Sequence, residues 1–136
     1  MDSTELIYQE NILDHYKNPR NFGKIENASV NHHEYNPLCG DKIDMFLIID
    51  KNNKIVDVKF HGSGCAISQA SASMLTEQIK GKNIKELKKL TKENILELLG
   101  IPISPVRLKC ALLSLDTLKN SILIFEKYAS NNKSAQ

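Results

Sequence analysis

Three cysteines and one aspartate carry the sharpest chemistry in this sequence. Cys39 lies in Asn36-Pro37-Leu38-Cys39-Gly40-Asp41, Cys65 closes His61-Gly62-Ser63-Gly64-Cys65, and Cys110 follows Arg107-Leu108-Lys109. Thiolates are soft ligands and sulfur nucleophiles. Combined with a carboxylate they suit zinc, or iron in a sulfide cluster, and not magnesium or calcium. Gly40 permits a tight bend that turns Cys39 and Asp41 toward one point. Cys65 follows two glycines and precedes a helix, whose positive end favours a thiolate. Arg107 and Lys109 add positive charge beside Cys110, which would act in the same direction. The competing reading is plain burial, since free cysteine is among the most buried residue types. Three is an odd number, so a closed disulfide framework is excluded.

The elements around these residues decide which of them can meet. Ile43, Met45, Leu47 and Ile49 alternate on one face of a strand, and Val56, Val58 and Phe60 alternate in a second. Lys51-Asn52-Asn53 between them is turn chemistry, so the pair reads as a β-hairpin. Asn52 is thirteen residues from Cys39 and thirteen from Cys65. In an antiparallel hairpin the start of one strand lies beside the end of its partner. The Cys39–Asp41 loop and the Cys65 loop are therefore predicted neighbours. Cys110 falls in the first turns of a helix over 105–129, whose stripe is Leu108, Leu112, Leu115, Leu118, Ile122 and Phe125. It points about 110° away from the middle of that stripe, which makes it poor core filler.

The remaining pattern predicts a helix over 4–17, capped by Ser3 or Thr4, with Leu6, Ile7, Ile12, Leu13 and Tyr16 as its apolar face. A short strand is expected over 28–34. Helices are expected over 66–80, 84–90 and 92–99, with Asn83 and Thr91 as caps of the last two. Pro105 fits the first turn of the final helix, with Ser104 as its cap. Residues 130–136 read as a frayed polar tail, leaving one domain over 1–129. Strands first and helices after indicate an α+β domain with helices on one face of an antiparallel sheet.

Composition narrows the function classes. The chain has 136 residues, 41% hydrophobic and 25% charged, with a formal net charge of +2 and no tryptophan. Near-neutral charge and few aromatics speak against nucleic acid. No apolar run reaches the roughly 18 residues of a membrane span. The acidic start Met1-Asp2-Ser3-Thr4-Glu5 lacks the form of a signal peptide, so a cytoplasmic location with reduced thiols is expected. His61 is a possible extra ligand but alternates onto the polar face of its strand. His15, His32 and His33 read as ordinary or surface residues, and the lysines of 82–92 as a solvated face.

At the cysteines the sequence resembles a known family. Asp14-His15-Tyr16-Lys17-Asn18-Pro19-Arg20-Asn21, Asn36-Pro37-Leu38-Cys39-Gly40-Asp41, Gly62-Ser63-Gly64-Cys65-Ala66-Ile67-Ser68 and Arg107-Leu108-Lys109-Cys110-Ala111 resemble segments of the iron–sulfur cluster assembly proteins of the IscU/SufU group, or NifU N-terminal domain. The likeness runs from about residue 5 to 128. It implies a SufE/NifU-like α+β fold, a three-stranded antiparallel sheet with helices packed on one face and a long C-terminal helix. It implies Cys39, Asp41, Cys65 and Cys110 as the metal and cluster site, supplying Cys110 as the fourth ligand. It also implies a cysteine desulfurase as partner, with cluster carriers or apo-proteins downstream.

Two branches of the group differ at marker positions. The Isc-type scaffold has histidine directly before the last cysteine, where this chain has Lys109. Lysine or arginine there, and Ala70-Ser71-Ala72-Ser73-Met74, resemble the SufU branch. The 44 residues between Cys65 and Cys110 resemble the shorter Isc-type length, and the Isc-type chaperone motif is altered to Ile103-Ser104-Pro105-Val106-Arg107. The expectation is a SufU-like sulfur acceptor, a zinc-dependent sulfurtransferase with Cys39 as nucleophile and zinc on the four ligands. The alternatives are a scaffold that builds a transient [2Fe–2S] cluster on the same residues, and a structural zinc module without sulfur chemistry.

Overall fold

The computed structural model describes residues 3–134, with side chains described as far as residue 130. Helix α1 (Ser3–Lys17) is followed by strands β1 (Val30–Asn36), β2 (Asp41–Ile49) and β3 (Ile55–Ser63). Helices α2 (Ala66–Ile79), α3 (Ile84–Leu87), α4 (Lys92–Leu99) and α5 (Pro105–Ser134) complete the chain. The strands form one antiparallel sheet in the order β1-β2-β3. The fold is thus the expected α+β arrangement.

Alternation sets the faces of the sheet. Ile43, Met45, Leu47 and Ile49 point inward, and Met45 and Leu47 pair with Phe60 and Val58 across β3. The inward faces meet α2 and α5. At the far end of the same inward face, Asn36 of β1 pairs with Asp41 of β2, and both are buried. The outer edge of β3 is also closed. Gly23 N–H donates to Phe60 O and Phe60 N–H to Asn21 O, both near 2.9 Å, and Phe22 packs edge-on to Phe60. This short parallel pairing covers an edge that would otherwise present unpaired backbone.

Several expectations shift. The first strand runs over Val30–Asn36 instead of 28–34, because pairing to β2 starts only at the Ser29 N–H to Leu47 O bond. Cys39 therefore sits in the four-residue turn of a second hairpin, between β1 and β2. The expected apolar face of α1 is mostly exposed: Leu6, Ile7, Leu13 and Tyr16 lie open, and Ile12 and His15 are the buried residues of that helix. Among the described elements α1 packs chiefly on α2, so a narrow stripe suffices. Ser3 and Thr4 lie inside α1 and not at its cap. Helix α3 ends at Leu87, and α5 continues to Ser134, while residues 135–136 of the expected tail lie outside the described residues.

The least anticipated packing is between α2 and α5. Ser68, Ala70, Ser71, Ala72, Ser73 and Thr76 of α2 are all buried, Ser71 against α5 and Ser73 and Thr76 against α1 and residues 20–21, and Ala111, Ser114, Thr117 and Ser121 of α5 are buried too. Small side chains let two helices approach closely, and the hydroxyls need partners once there. Ser71 Oγ donates to Ala111 O at 2.7 Å and lies 3.1 Å from Ser114 Oγ. Thr117 and Ser121 bond back to their own helix, at Leu113 O and Thr117 O. Among the described residues no helix is long and apolar enough to cross a membrane.

Candidate metal centre

Four parts of the chain converge on one cavity. The β1–β2 turn carries Cys39, the first residue of β2 is Asp41, Cys65 precedes α2, and Cys110 lies in the second turn of α5. The cavity has a volume of about 340 Å³ and is lined by Cys39, Asp41, Gly64, Cys65, Val106, Arg107 and Cys110. All four residues singled out in the sequence thus face the same space. Ligand atoms of Cys39, Asp41 and Cys110 lie within 4.8 Å of one another. Cys65 stands just outside that set, with its Sγ 3.9 Å from Asp41 Oδ2.

The turn is built from Asn36. Its backbone carbonyl accepts from Gly40 N–H at 2.8 Å and from Cys39 N–H at 3.3 Å, and its side-chain Oδ1 accepts from Leu38 N–H at 3.1 Å. Gly40 takes φ +72°, the left-handed conformation that closes such a turn. Cys39 is left exposed at the tip, and Leu38 beside it is 77% exposed. Register places the other side: Lys42 pairs with Ser63, so the end of β3 and the Gly64–Cys65 loop lie against the start of β2. Asp41 Oδ1 accepts the Cys65 N–H at 2.9 Å. Gly64 lies so close that a Cβ there would stand 2.2 Å from Asp41 Oδ1. The carboxylate is therefore seated on a bare backbone, and only 1% of Asp41 is exposed.

Cys110 is buried, and its Sγ lies 3.1 Å from Cys39 Sγ and 3.9 Å from Asn36 Nδ2. Burial pushes its thiol pKa far up, and hydrogen bonds to Asp41 and Cys39 and the charges of Cys65 and Asp41 push the same way. This corrects the expectation that Arg107 and Lys109 hold it as a thiolate. Both basic residues are exposed, and Lys109 lines a different cleft with Tyr35, Leu38 and Asp116. In the protonated state the Cys65 thiol donates to Asp41 and the Cys110 thiol to Cys39. A soft cation could displace those protons and take the carboxylate and the sulfurs as ligands. Tetrahedral zinc with Zn–S bonds near 2.3 Å separates its sulfurs by about 3.8 Å, so Cys39 Sγ and Cys110 Sγ, 3.1 Å apart, would have to move apart to share such an ion.

The histidines stay away from the cavity. His61 is exposed, its ring tilted against Phe22 with centroids 5.4 Å apart, and His32 pairs with Glu34. His15, read as ordinary, is instead buried: its Nδ1 lies 2.7 Å from Ser73 Oγ and its Nε2 3.6 Å from Glu77 Oε1. Desolvation lowers its pKa, Arg20 lowers it further, and Glu77 and Asp14 act in the opposite direction. Arg20 N–H also donates to Ser73 Oγ, at 2.9 Å, and Asn21 Nδ2 donates to Thr76 Oγ1. The Asp14–Asn21 segment is therefore a clamp between α1, α2 and β3. Its signal in the sequence was an isolated histidine three residues after Ile12, on the one stripe of α1 that is buried.

Known proteins share the sequence pattern and the fold. The family described as "NifU-like N terminal domain" matches residues 7–133. The iron-sulfur cluster assembly scaffold protein IscU 1 of Archaeoglobus fulgidus is 39% identical over 117 residues, covering 86% of this chain and 75% of the relative. The zinc-dependent sulfurtransferase SufU of Bacillus subtilis is 38% identical over 135 residues, covering 87% and 90%. Among solved structures, an iron–sulfur cluster assembly scaffold protein for the SUF system from Fervidobacterium islandicum superposes with a TM-score of 0.75 at 36% identity, covering 88% of this chain and 99% of that one.

Proposed function

Because the chain belongs to the NifU-like N-terminal domain family of iron–sulfur cluster assembly proteins, we propose that it receives sulfur from a cysteine desulfurase at a zinc site formed by Cys39, Asp41, Cys65 and Cys110. The observation that carries this reading is the convergence of Cys39, Cys110 and Asp41 within 4.8 Å, with Cys39 exposed and the others sheltered. Bound zinc would keep the thiols deprotonated near neutral pH, against the burial that protonates Cys110. Cys39 is the nucleophile in this reading, because its sulfur is open to a partner at the tip of a turn. Its thiolate attacks the outer sulfur of the donor persulfide. The new Cys39–sulfur bond forms as the donor's S–S bond breaks, and the donor cysteine leaves as a thiolate while the proton stays on the transferred sulfur.

What supports the zinc-held reading over cluster building is Lys109 before the last cysteine and the run Ala70-Ser71-Ala72-Ser73-Met74, both similar to the SufU branch. Location in the cytoplasm and hand-over to downstream apo-proteins follow as parts of the same proposal. The test is direct. The protein is mixed with a desulfurase and cysteine, and persulfide is mapped by mass spectrometry, with metal content measured on the starting material. Label on Cys39 and about one zinc per chain, as a single four-ligand site requires, are expected. Label confined to Cys65 or Cys110 removes Cys39 from the role. Anaerobic reconstitution with iron and sulfide separates the scaffold reading, which requires a stable visible chromophore. A desulfurase indifferent to the protein, with chelation unfolding it, favours a structural zinc module.

A further inference from the structure

The geometry points to Asn36 as a positioning residue of the metal centre, one that sets the Cys39 turn and also donates a hydrogen bond to the sulfur of Cys110. This rests on the metal-site reading above and adds a residue to it. Asn36 is the last residue of β1, 6% exposed, and pairs across the sheet with Asp41, so both side chains enter the site from the same face. Its amide is divided between two tasks. Oδ1 accepts the Leu38 N–H at 3.1 Å and fixes the turn that presents Cys39. Nδ2 lies 3.9 Å from Cys110 Sγ and is turned toward it.

The chemistry explains why an amide suits this position. Once a metal has displaced the thiol protons, the Asp41 carboxylate and three sulfurs would face the Cys65 backbone N–H and the Asn36 amide, with Arg107 at the cavity wall. A metal-bound thiolate keeps excess negative charge on sulfur, and an N–H aimed at it lowers that charge and holds the ligand's direction. Neither Asp nor Ser could replace both functions. Each has an oxygen able to accept the Leu38 N–H, but the carboxylate has no donor, and the Ser hydroxyl ends where the Asn36 Cγ stands, short of the sulfur.

That difference makes the test. Metal-free full-length protein and the variants Asn36→Asp, Asn36→Ser and Asn36→Ala are titrated with cobalt(II), reading the sulfur-to-cobalt charge-transfer band and the affinity against a competing chelator. Serine controls for the charge that aspartate adds. If Asn36 donates to Cys110, Asp and Ser both weaken cobalt binding by about 10- to 100-fold, as supporting groups around metal ligands do. Both also move the charge-transfer band to longer wavelength, because the sulfur regains electron density. Wild-type band position and affinity in Asp and Ser, with loss only in Ala, would mean that Asn36 builds the turn alone and would overturn the inference. A wild-type protein with no sulfur-to-cobalt band overturns the metal centre itself and the role with it. Should the variants fail to fold, cadmium-113 loading of the wild type supplies the second measurement. A coupling between cadmium and an Asn36 side-chain amide proton is expected, and its absence from an otherwise assigned site counts against the bond.

Discussion

Two buried polar clusters hang on α2, and they differ in whether their protons can be given up to a metal. Near the middle of the helix, Ser73 Oγ meets His15 Nδ1 and the Arg20 N–H, while Thr76 Oγ1 takes the Asn21 amide and donates to Ser73 O. Donors and acceptors are matched, and the cluster ties α1 and the 18–23 segment to α2 without need of anything else. At the N-terminal end of the same helix, Asp41 accepts from the Cys65 N–H and thiol, and the Cys110 thiol donates to Cys39. Burial of polar groups is common to both and identifies neither as functional. Converging thiols whose protons a soft metal can displace are what distinguish a site that can take a ligand from one that holds the fold.

The largest effect is expected from removing a ligand. Cys110→Ser should leave purified protein without zinc and should abolish the stabilisation that zinc gives the wild type. That stabilisation is about 4 kcal/mol when free metal stands a thousandfold above its Kd. Denaturant unfolding with and without zinc measures both numbers. If zinc stabilises the variant as much as the wild type, Cys110 is not a ligand. Ser73→Ala, in the balanced cluster, should leave zinc content untouched.

Gly64→Ala comes next. The added Cβ would fall 2.2 Å from Asp41 Oδ1, and φ +145° is strained for any other residue. Strain of this kind costs about 1–3 kcal/mol, and the displaced carboxylate should also weaken metal binding. Unlike the ligand variant, this one should lower the stability of the metal-free protein as well. An unchanged metal-free melting curve would show that the loop relaxes and that Asp41 is not seated on Gly64.

These contrasts show what could be read beforehand. The meeting of the Cys39–Asp41 and Cys65 loops was legible because one hairpin, centred on Asn52, placed them symmetrically, and the pairing of Lys42 with Ser63 agrees. The second hairpin was not read as one, because Asn31, His32, His33 and Glu34 give β1 no apolar alternation, so Cys39 looked like a loop residue and not a turn tip. Cys110 was visible as a misfit on its helix, but spacing could not say what it faced. The clamp at Ser73 was hidden for a different reason. Its residues are polar, and their burial follows from the close approach of α2 to its neighbours, which depends on tertiary packing.

Ser73→Ala should cost about 1–3 kcal/mol of stability, since it strands the His15 ring and the Arg20 N–H inside the protein. Thermal or denaturant melts give the value, and zinc analysis on the same sample gives the contrast. A loss of zinc alongside the loss of stability would mean that the two clusters are coupled through α2 and are not separate regions.

The smallest effect is a pH dependence peculiar to the balanced cluster. Desolvation holds the folded-state pKa of His15 below its ordinary value, with Arg20 adding to this and Glu77 and Asp14 opposing it. In the unfolded chain the ring takes a proton near pH 6.5. The unfolded state therefore binds more protons than the native state below that point. The His15 contribution is fully present above about pH 6.5 and is lost as pH falls from there through the lower folded-state pKa. The slope cannot exceed one proton, or about 1.4 kcal/mol per pH unit. Metal-free wild type and His15→Gln, unfolded in denaturant between pH 5 and 7.5, isolate the term, because titrations elsewhere are common to both. The wild type should lose stability faster toward acid than the variant. Parallel curves would mean that His15 titrates in the clamp as it does in water, and that matched hydrogen bonds alone, without a neutral ring, hold α1 to α2.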